Sequence, residues 1–401
     1  MGWNKFTSWQ KTWFVSLLLG FWIFGAARSI GRGKQIYEEL DGTSEIMTVF
    51  AARNYVDEGF FKNYLLPVYP PFGFDAQKNP RKEPFVYTHF LPGQAWVLGL
   101  VLKIFGKDAV WIARLIPHTL TVSSIALIAL EIAAYANTPI LACIMATALL
   151  LPRSLTIWSI GIHSHSYILA FYLLLMALLL RMVNQKNFNP KHAWGLGVGF
   201  GVLQMLFGFD WVPLTFISIA SFYFLFPAIT IYQAKRVFLG FFIGSSSAFL
   251  FQLLLCSFHF GSLNGAILDY WQWGKWRVTG YGVEDVQDAK VLRVAVLLKE
   301  YNRQTYGATG FTAYNLVGMS LGFLILGFLG KLFSKTTFIK GAIGVVLAFL
   351  SAASWTLLMR HHAWVHIFYV PRHYFVLYLT FLLVMLPIAC KLVHKSRNSS
   401  I

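Results

Sequence analysis

The chain has 401 residues, 57% of them hydrophobic and only 12% charged, with a formal net charge of +17 and a mean hydropathy of +0.59. Soluble domains carry about 25% charged residues, so the composition excludes an ordinary soluble enzyme. It also excludes a nucleic-acid protein: the basic residues recur in short connections between apolar runs, as the positive-inside tendency dictates, and not in one patch or stripe.

The first apolar run, residues 12–31, follows Lys5 and Lys11 and lacks a small-residue cleavage site. It reads as a retained anchor whose amino-terminal side faces inward. Residues 32–110 then form a large first external loop. Its stretch DGTSEIMTVFAARNYVDEG, residues 41–59, is acidic and helix-capable, with Gly59 placed as a C-cap. Pro67, Pro70, Pro71, Pro80 and Pro84 break the middle of the loop into extended or turn structure. The run at 90–106 is short for a span, carries Lys103 near its end and is followed by Lys107 and Asp108, so it is expected to lie in the interface.

With 90–106 interfacial, the later spans fall at 111–134, 138–155, 162–182, 193–209, 212–232, 237–258, 313–330, 341–359 and 372–390. The inner connections then hold Arg181, Lys186, Lys191, Lys235, Arg236, Lys331, Lys335 and Lys340, with Lys391, Lys395 and Arg397 in the tail, and none contains an acid. Every acid except Glu131 falls at the outer side. The expected fold is an all-α polytopic membrane protein, a single integral membrane domain over 1–401. It has about ten transmembrane helices, both ends inside, and large external loops at 32–110 and 259–312. The run GLGVGFG at 195–201 suits close helix packing. Cys143, Cys256 and Cys390 all lie in apolar runs without metal or disulfide spacing and read as core residues.

Chemistry, if present, belongs at the outer surface. Asp41 and Glu45 are four apart and share a helix face. Either carboxylate suits a general base; the competing reading gives Asp41 to an N-cap and Glu45 to the helix dipole. His163 and His165, in IWSIGIHSHSY, open a span at the outer side and suit proton transfer or acceptor contact; their spacing does not favour a metal. Asp210, in FGFDWVP, sits at an outer turn. In 259–312, Trp273 and its aromatic neighbours suit either a membrane–water boundary or stacking on a sugar, and Arg277 and Arg293 suit a phosphate clamp. The last external turn, RHHAWVHIFYVPRHYF, carries Arg360, His361, His362, His366, Arg372 and His373. So much positive charge outside runs against the positive-inside tendency, which points to an anionic ligand such as a lipid phosphate. No P-loop, dinucleotide fingerprint, HExxH or GxSxG occurs in its required context.

The order of these features resembles the GT-C superfamily of membrane glycosyltransferases, which includes protein O-mannosyltransferases and the aminoarabinose transferases of lipid A. The resemblance rests on the first span, the acidic DGTSE loop, the AARN…G segment, the proline-rich stretch before a short helix, GKDAVWIARLIP and GIHSHSYILAFYLLLMALLLR. It covers residues 12–260. It implies an outward-facing site, a polyprenyl-phosphate-linked sugar donor and a first-loop carboxylate as base, which falls on Asp41 or Glu45. Where the family has an adjacent Asp-Glu pair this chain has DGTSE, and where an acid is frequent it has His163 and His165. Some members use a divalent metal, for which no ligand set stands out here. The expected reaction is inverting transfer of the sugar to a protein, lipid or glycan acceptor, in the bacterial cytoplasmic membrane ahead of the endoplasmic reticulum. The alternatives are a lipid-carrier transporter or flippase, which needs charge at the bilayer midplane, and a non-catalytic membrane partner of a transferase.

Overall fold

The computed structural model describes residues 3–33, 38–71, 82–89, 91–152, 155, 158–185, 188–226, 228–279, 297, 299–300, 302–303, 305–306, 310–359, 373 and 375–385; within 38–58 the side chains are described from residue 44 onward. In chain order the helices are α1 (Ser8–Arg32), α2 (Glu38–Glu58), α3 (Gly93–Phe105), α4 (Val110–Ala136), α5 (Ile140–Leu150), α6 (Ser164–Asn184), α7 (Pro190–Phe207), α8 (Trp211–Leu225), α9 (Ile231–Phe260), α10 (Leu263–Thr279), α11 (Ala313–Leu329) and α12 (Lys335–Leu358), followed by α13 (Phe375–Met385). The strands β1 (Val68–Tyr69) and β2 (Phe85–Val86) form one short antiparallel pair. Among the described residues, α1, α4, α6, α9 and α12 are each long and apolar enough to cross a membrane. The chain is thus a helical, multi-pass membrane protein by the length and apolarity of its helices.

Local chemistry explains the helix ends. Thr7 and Thr230 each form a capping box, with Gln10 and Gln233 three residues on. Asn137 closes α4 in the left-handed conformation. Inside α4, Pro117 has no N–H to give the carbonyl of Ala113, and the Tyr167 hydroxyl of α6 donates to that carbonyl instead, at 3.2 Å. α6 is the centre of the bundle: most of its side chains are buried against α4, α7 and α8. Serine hydroxyls join α8 to α12. Ser218 and Ser351 hydroxyls are 2.7 Å apart, and Ser221 donates to the Gly344 carbonyl at 2.7 Å. Such bonds are suited to helix faces with little hydrophobic drive between them.

The glycine run of α7 meets a second one on α9, Gly240 and Gly244, which periodicity alone did not single out. A Cβ on Gly197 would lie 2.2 Å from the Val237 carbonyl oxygen, and one on Gly244 would lie 2.2 Å from that of Val198. The two backbones therefore touch. Gly244→Val is expected to destabilise by about 1–3 kcal/mol in a thermal melt in detergent. Gly199→Val, on the open face of α7 where nothing lies within 4 Å, should stay within about 0.5 kcal/mol of wild type.

The first loop lies across one end of the bundle. α2 begins at Glu38, ahead of the expected start, so Asp41 lies within the helix and not at its N-cap. Its C-terminal acids are paired as surface charges: Asp57 with Lys107, and Glu58 with Lys62. α3 has 13 residues, about 20 Å at 1.5 Å per residue. One face of it packs Leu98, Val101 and Leu102 against Val49 and Ala52 of α2 and Val110 and Ala113 of α4. Leu100, Ile104 and Phe105 stay exposed on the other.

Candidate functional site

Two polar clusters hold the first loop onto the bundle. In the first, Glu45 of α2 and Arg114 of α4 are both fully buried. Glu45 Oε2 accepts from Arg114 Nη2 at 2.9 Å, and Oε1 accepts from the Ile162 N–H at 3.2 Å. Arg114 Nη1 donates to the Gly33 carbonyl, at the end of α1, at 3.1 Å. One guanidinium thus ties α1, α2 and α4 together, and its carboxylate adds the turn that leads into α6. A buried charge away from water needs both a counter-charge and hydrogen bonds, and this arrangement supplies both. One helical turn along α4, His118 lies between α1 and Ser159. Its Nε2 faces the Trp22 carbonyl at 3.3 Å and its Nδ1 faces the Ser159 hydroxyl at 3.0 Å. A carbonyl only accepts, so Nε2 carries the proton and Nδ1 accepts from Ser159.

The second cluster joins residues 87–89 of the first loop to α9 and α10. The Thr88 carbonyl accepts from Gln252 Nε2 at 2.9 Å and from the Tyr270 hydroxyl at 3.1 Å, while the Thr88 hydroxyl donates to Asp269 Oδ2 at 2.6 Å. His89 lies between Tyr87, 4.6 Å between ring centroids, and Trp273, at 3.9 Å. Its Nε2 is 3.5 Å from Asp269 Oδ2. Asp269, Trp273 and Arg277 are spaced by four and share one face of α10. Arg277 is hydrogen-bonded to the Tyr87 hydroxyl, and its guanidinium lies 4.7 Å over the Phe209 ring. Beyond Phe209, Asp210 Oδ2 is 3.6 Å from His373 Nε2.

Burial pushes the Asp269 carboxyl up, but the hydrogen bond and charge of His89, the Thr88 hydroxyl and the Arg277 guanidinium outweigh it and hold the group below its ordinary value. A carboxyl with a depressed folded pKa contributes stability that is fully present above the unfolded value and is lost as pH falls through the folded one. The melting temperature is therefore expected to decline as pH drops below the ordinary value of 3.8. Asp269→Asn should flatten that part of the profile.

Of the residues expected to carry function, Trp273, Arg277 and His373 come to this second cluster. His163 is fully buried at the start of α6, packed on Trp158 at 5.1 Å, with His165 5.6 Å away. Its ring folds back over Gly161, where a Cβ would meet Nε2 at 2.4 Å. Glu45 is in the first cluster, and Asp41 lies one turn before it on α2. The Asp41 side chain lies outside the described residues, as do Arg293, Arg360, His362 and Arg372. Sequence reasoning passed over Arg114, His118, His89 and Asp269. The signal was present for Arg114: an arginine inside an apolar run is costly and has a partner or a purpose.

Among the described residues no three His, Cys, Asp or Glu side chains converge, so these clusters do not fit a divalent ion. The arrangement instead suits acid–base and anion chemistry. No family model, no curated protein and no solved structure matches the chain.

Proposed function

We propose that the chain is a GT-C-type membrane glycosyltransferase. It takes a sugar from a polyprenyl-phosphate donor and passes it, with inversion, to a protein, lipid or glycan acceptor. In this reading ten helices, α1, α4 to α9 and α11 to α13, cross the bilayer, both termini face the cytoplasm, and α2, α3 and α10 lie at the outer surface of a bacterial cytoplasmic membrane. Five of these, α1, α4, α6, α9 and α12, are long and apolar enough to cross, and α5, α8, α11 and α13 are shorter apolar helices. The reading is carried by one observation: the acid-bearing helix α2 is locked to α1, α4 and the turn before α6 through the buried Glu45–Arg114 pair.

That lock assigns the two carboxylates different tasks. Glu45 braces the helix. Asp41, one turn closer to the helix start, takes the proton of the acceptor hydroxyl or amine. The acceptor atom attacks the anomeric carbon and the bond from that carbon to the phosphate oxygen breaks. The bonding electrons leave with the lipid phosphate, whose charge is stabilised by cations of the outer surface, Arg277 first among them. The test measures donor binding and turnover separately, over a panel of radiolabelled polyprenyl-phosphate sugars, in wild type and Asp41→Asn. Binding without turnover in the variant supports the reading; full turnover in the variant overturns the base assignment, and no donor binding by wild type favours a transporter or a non-catalytic partner.

A further inference from the structure

Two of the residues that hold the first loop to α10, His89 and Asp269, have no part in the reaction described above, yet they sit beside Arg277. His89 is 7% exposed and Arg277 6%, and Arg277 Nε has no partner among the described residues. A nine-tenths buried guanidinium that keeps an N–H unspent is suited to an oxyanion. The charge count of the three residues depends on the imidazole. With His89 neutral, Arg277 and Asp269 cancel. With His89 protonated, the group carries one net positive charge, and Asp269 Oδ2, 3.5 Å from Nε2, steadies the added proton.

We propose that Asp269, His89 and Arg277 form a site for a phosphodiester headgroup, whose affinity is graded by protonation of His89. The proposal rests on the lipid-phosphate donor reading and names the group that makes donor capture depend on pH. Trp273, 3.9 Å from the imidazole, and Tyr87, 4.6 Å from it, hold the ring so that a change of charge does not swing it away. Asp269 is kept below its ordinary carboxyl value, so it stays ionised over the range in which an imidazole titrates. The other ionisable groups facing the pair are Tyr87 of the first loop, Cys256 and His259 of α9, and Tyr270 and Arg277 of α10. Burial pushes the Tyr87 hydroxyl up, so it stays neutral over this range.

The experiment measures binding of a short-chain prenyl phosphodiester to the purified full chain in detergent, at about pH 5.5 and about pH 8. A phosphodiester keeps one charge across this range, unlike a monoester, so any change belongs to the protein. Wild type should bind about fivefold to tenfold more tightly at the lower pH. His89→Gln, which hydrogen-bonds but takes no charge, should hold the pH 8 affinity at both values. His259→Gln should keep the wild-type difference. Sulfate, a free anion of constant charge, should compete only weakly; competition as strong as the diester would overturn the assignment to a lipid headgroup. Equal wild-type affinity at both pH values would overturn the role of His89 whatever the variants do, as would a pH difference that survives in a folded His89→Gln. No binding of the diester at either pH would sink the donor reading itself, and so separates the two failures.

Discussion

Arg114→Leu is expected to destabilise the protein by about 3–5 kcal/mol, the cost of leaving one member of a buried ion pair alone. The residue it strands, Glu45, is fully buried and loses its counter-charge, although it still accepts from the Ile162 N–H. Gly33 loses its donor as well. The effect should appear as reduced yield of folded protein and a lower melting temperature in detergent. Glu45→Leu strands the guanidinium in the same way and should cost as much. Replacing both together, Glu45→Leu with Arg114→Leu, removes both desolvated charges and should recover part of the loss, because two residues in one network do not add. If both single variants melt within about 0.5 kcal/mol of wild type, the pair is not a brace. A folded, stable Glu45→Gln that binds donor but turns nothing over would move the base from Asp41 to Glu45.

This pair also shows where the sequence was legible and where it was not. The bundle could be read because its helices are apolar runs, five of them long and apolar enough to cross a membrane. The helices at Pro190–Phe207, Ala313–Leu329 and Gly93–Phe105 fall where apolar runs predict them. The partners across the fold could not be read. Arg114 and Glu45 are 69 positions apart, and Thr88 and Asp269 are 181 apart; no periodicity links them. The α7 glycine run announced a close contact but not its partner, because Gly240 and Gly244 are sparse among large apolar residues. His163 and His165 were legible as a pair opening a helix, though the first is turned inward over Gly161 and packed on Trp158. α10 was read as part of a loop of aromatic and basic residues. As a helix it puts Asp269, Trp273 and Arg277 on one face, and that periodicity is present in DYWQWGKWR.

Asp41→Asn should lower turnover by about a hundredfold to ten-thousandfold, the usual contribution of a positioned general base. An asparagine keeps the size of the carboxylate and the ability to accept a hydrogen bond, but it does not take up a proton. Donor affinity should stay within about twofold of wild type, because the base meets the acceptor and not the leaving phosphate. Loss of turnover with unchanged donor binding is the signature of an interaction made in the transition state alone. Arg277→Gln should give the opposite pattern: in the proposed reaction it removes a cation that faces the phosphate in both ground and transition states, so donor binding should weaken together with turnover. The two variants thus separate the α2 end of the site from the α10 end. They also answer for the lock between them. If Glu45 serves only to hold α2, Glu45→Asp, which shortens the arm but keeps the charge beside Arg114, should lower stability and turnover together, and the turnover of the fraction that stays folded should recover when the acceptor is saturating. If turnover per folded molecule instead falls as far as in Asp41→Asn, α2 carries its chemistry on Glu45, and the buried pair with Arg114 opens during the reaction.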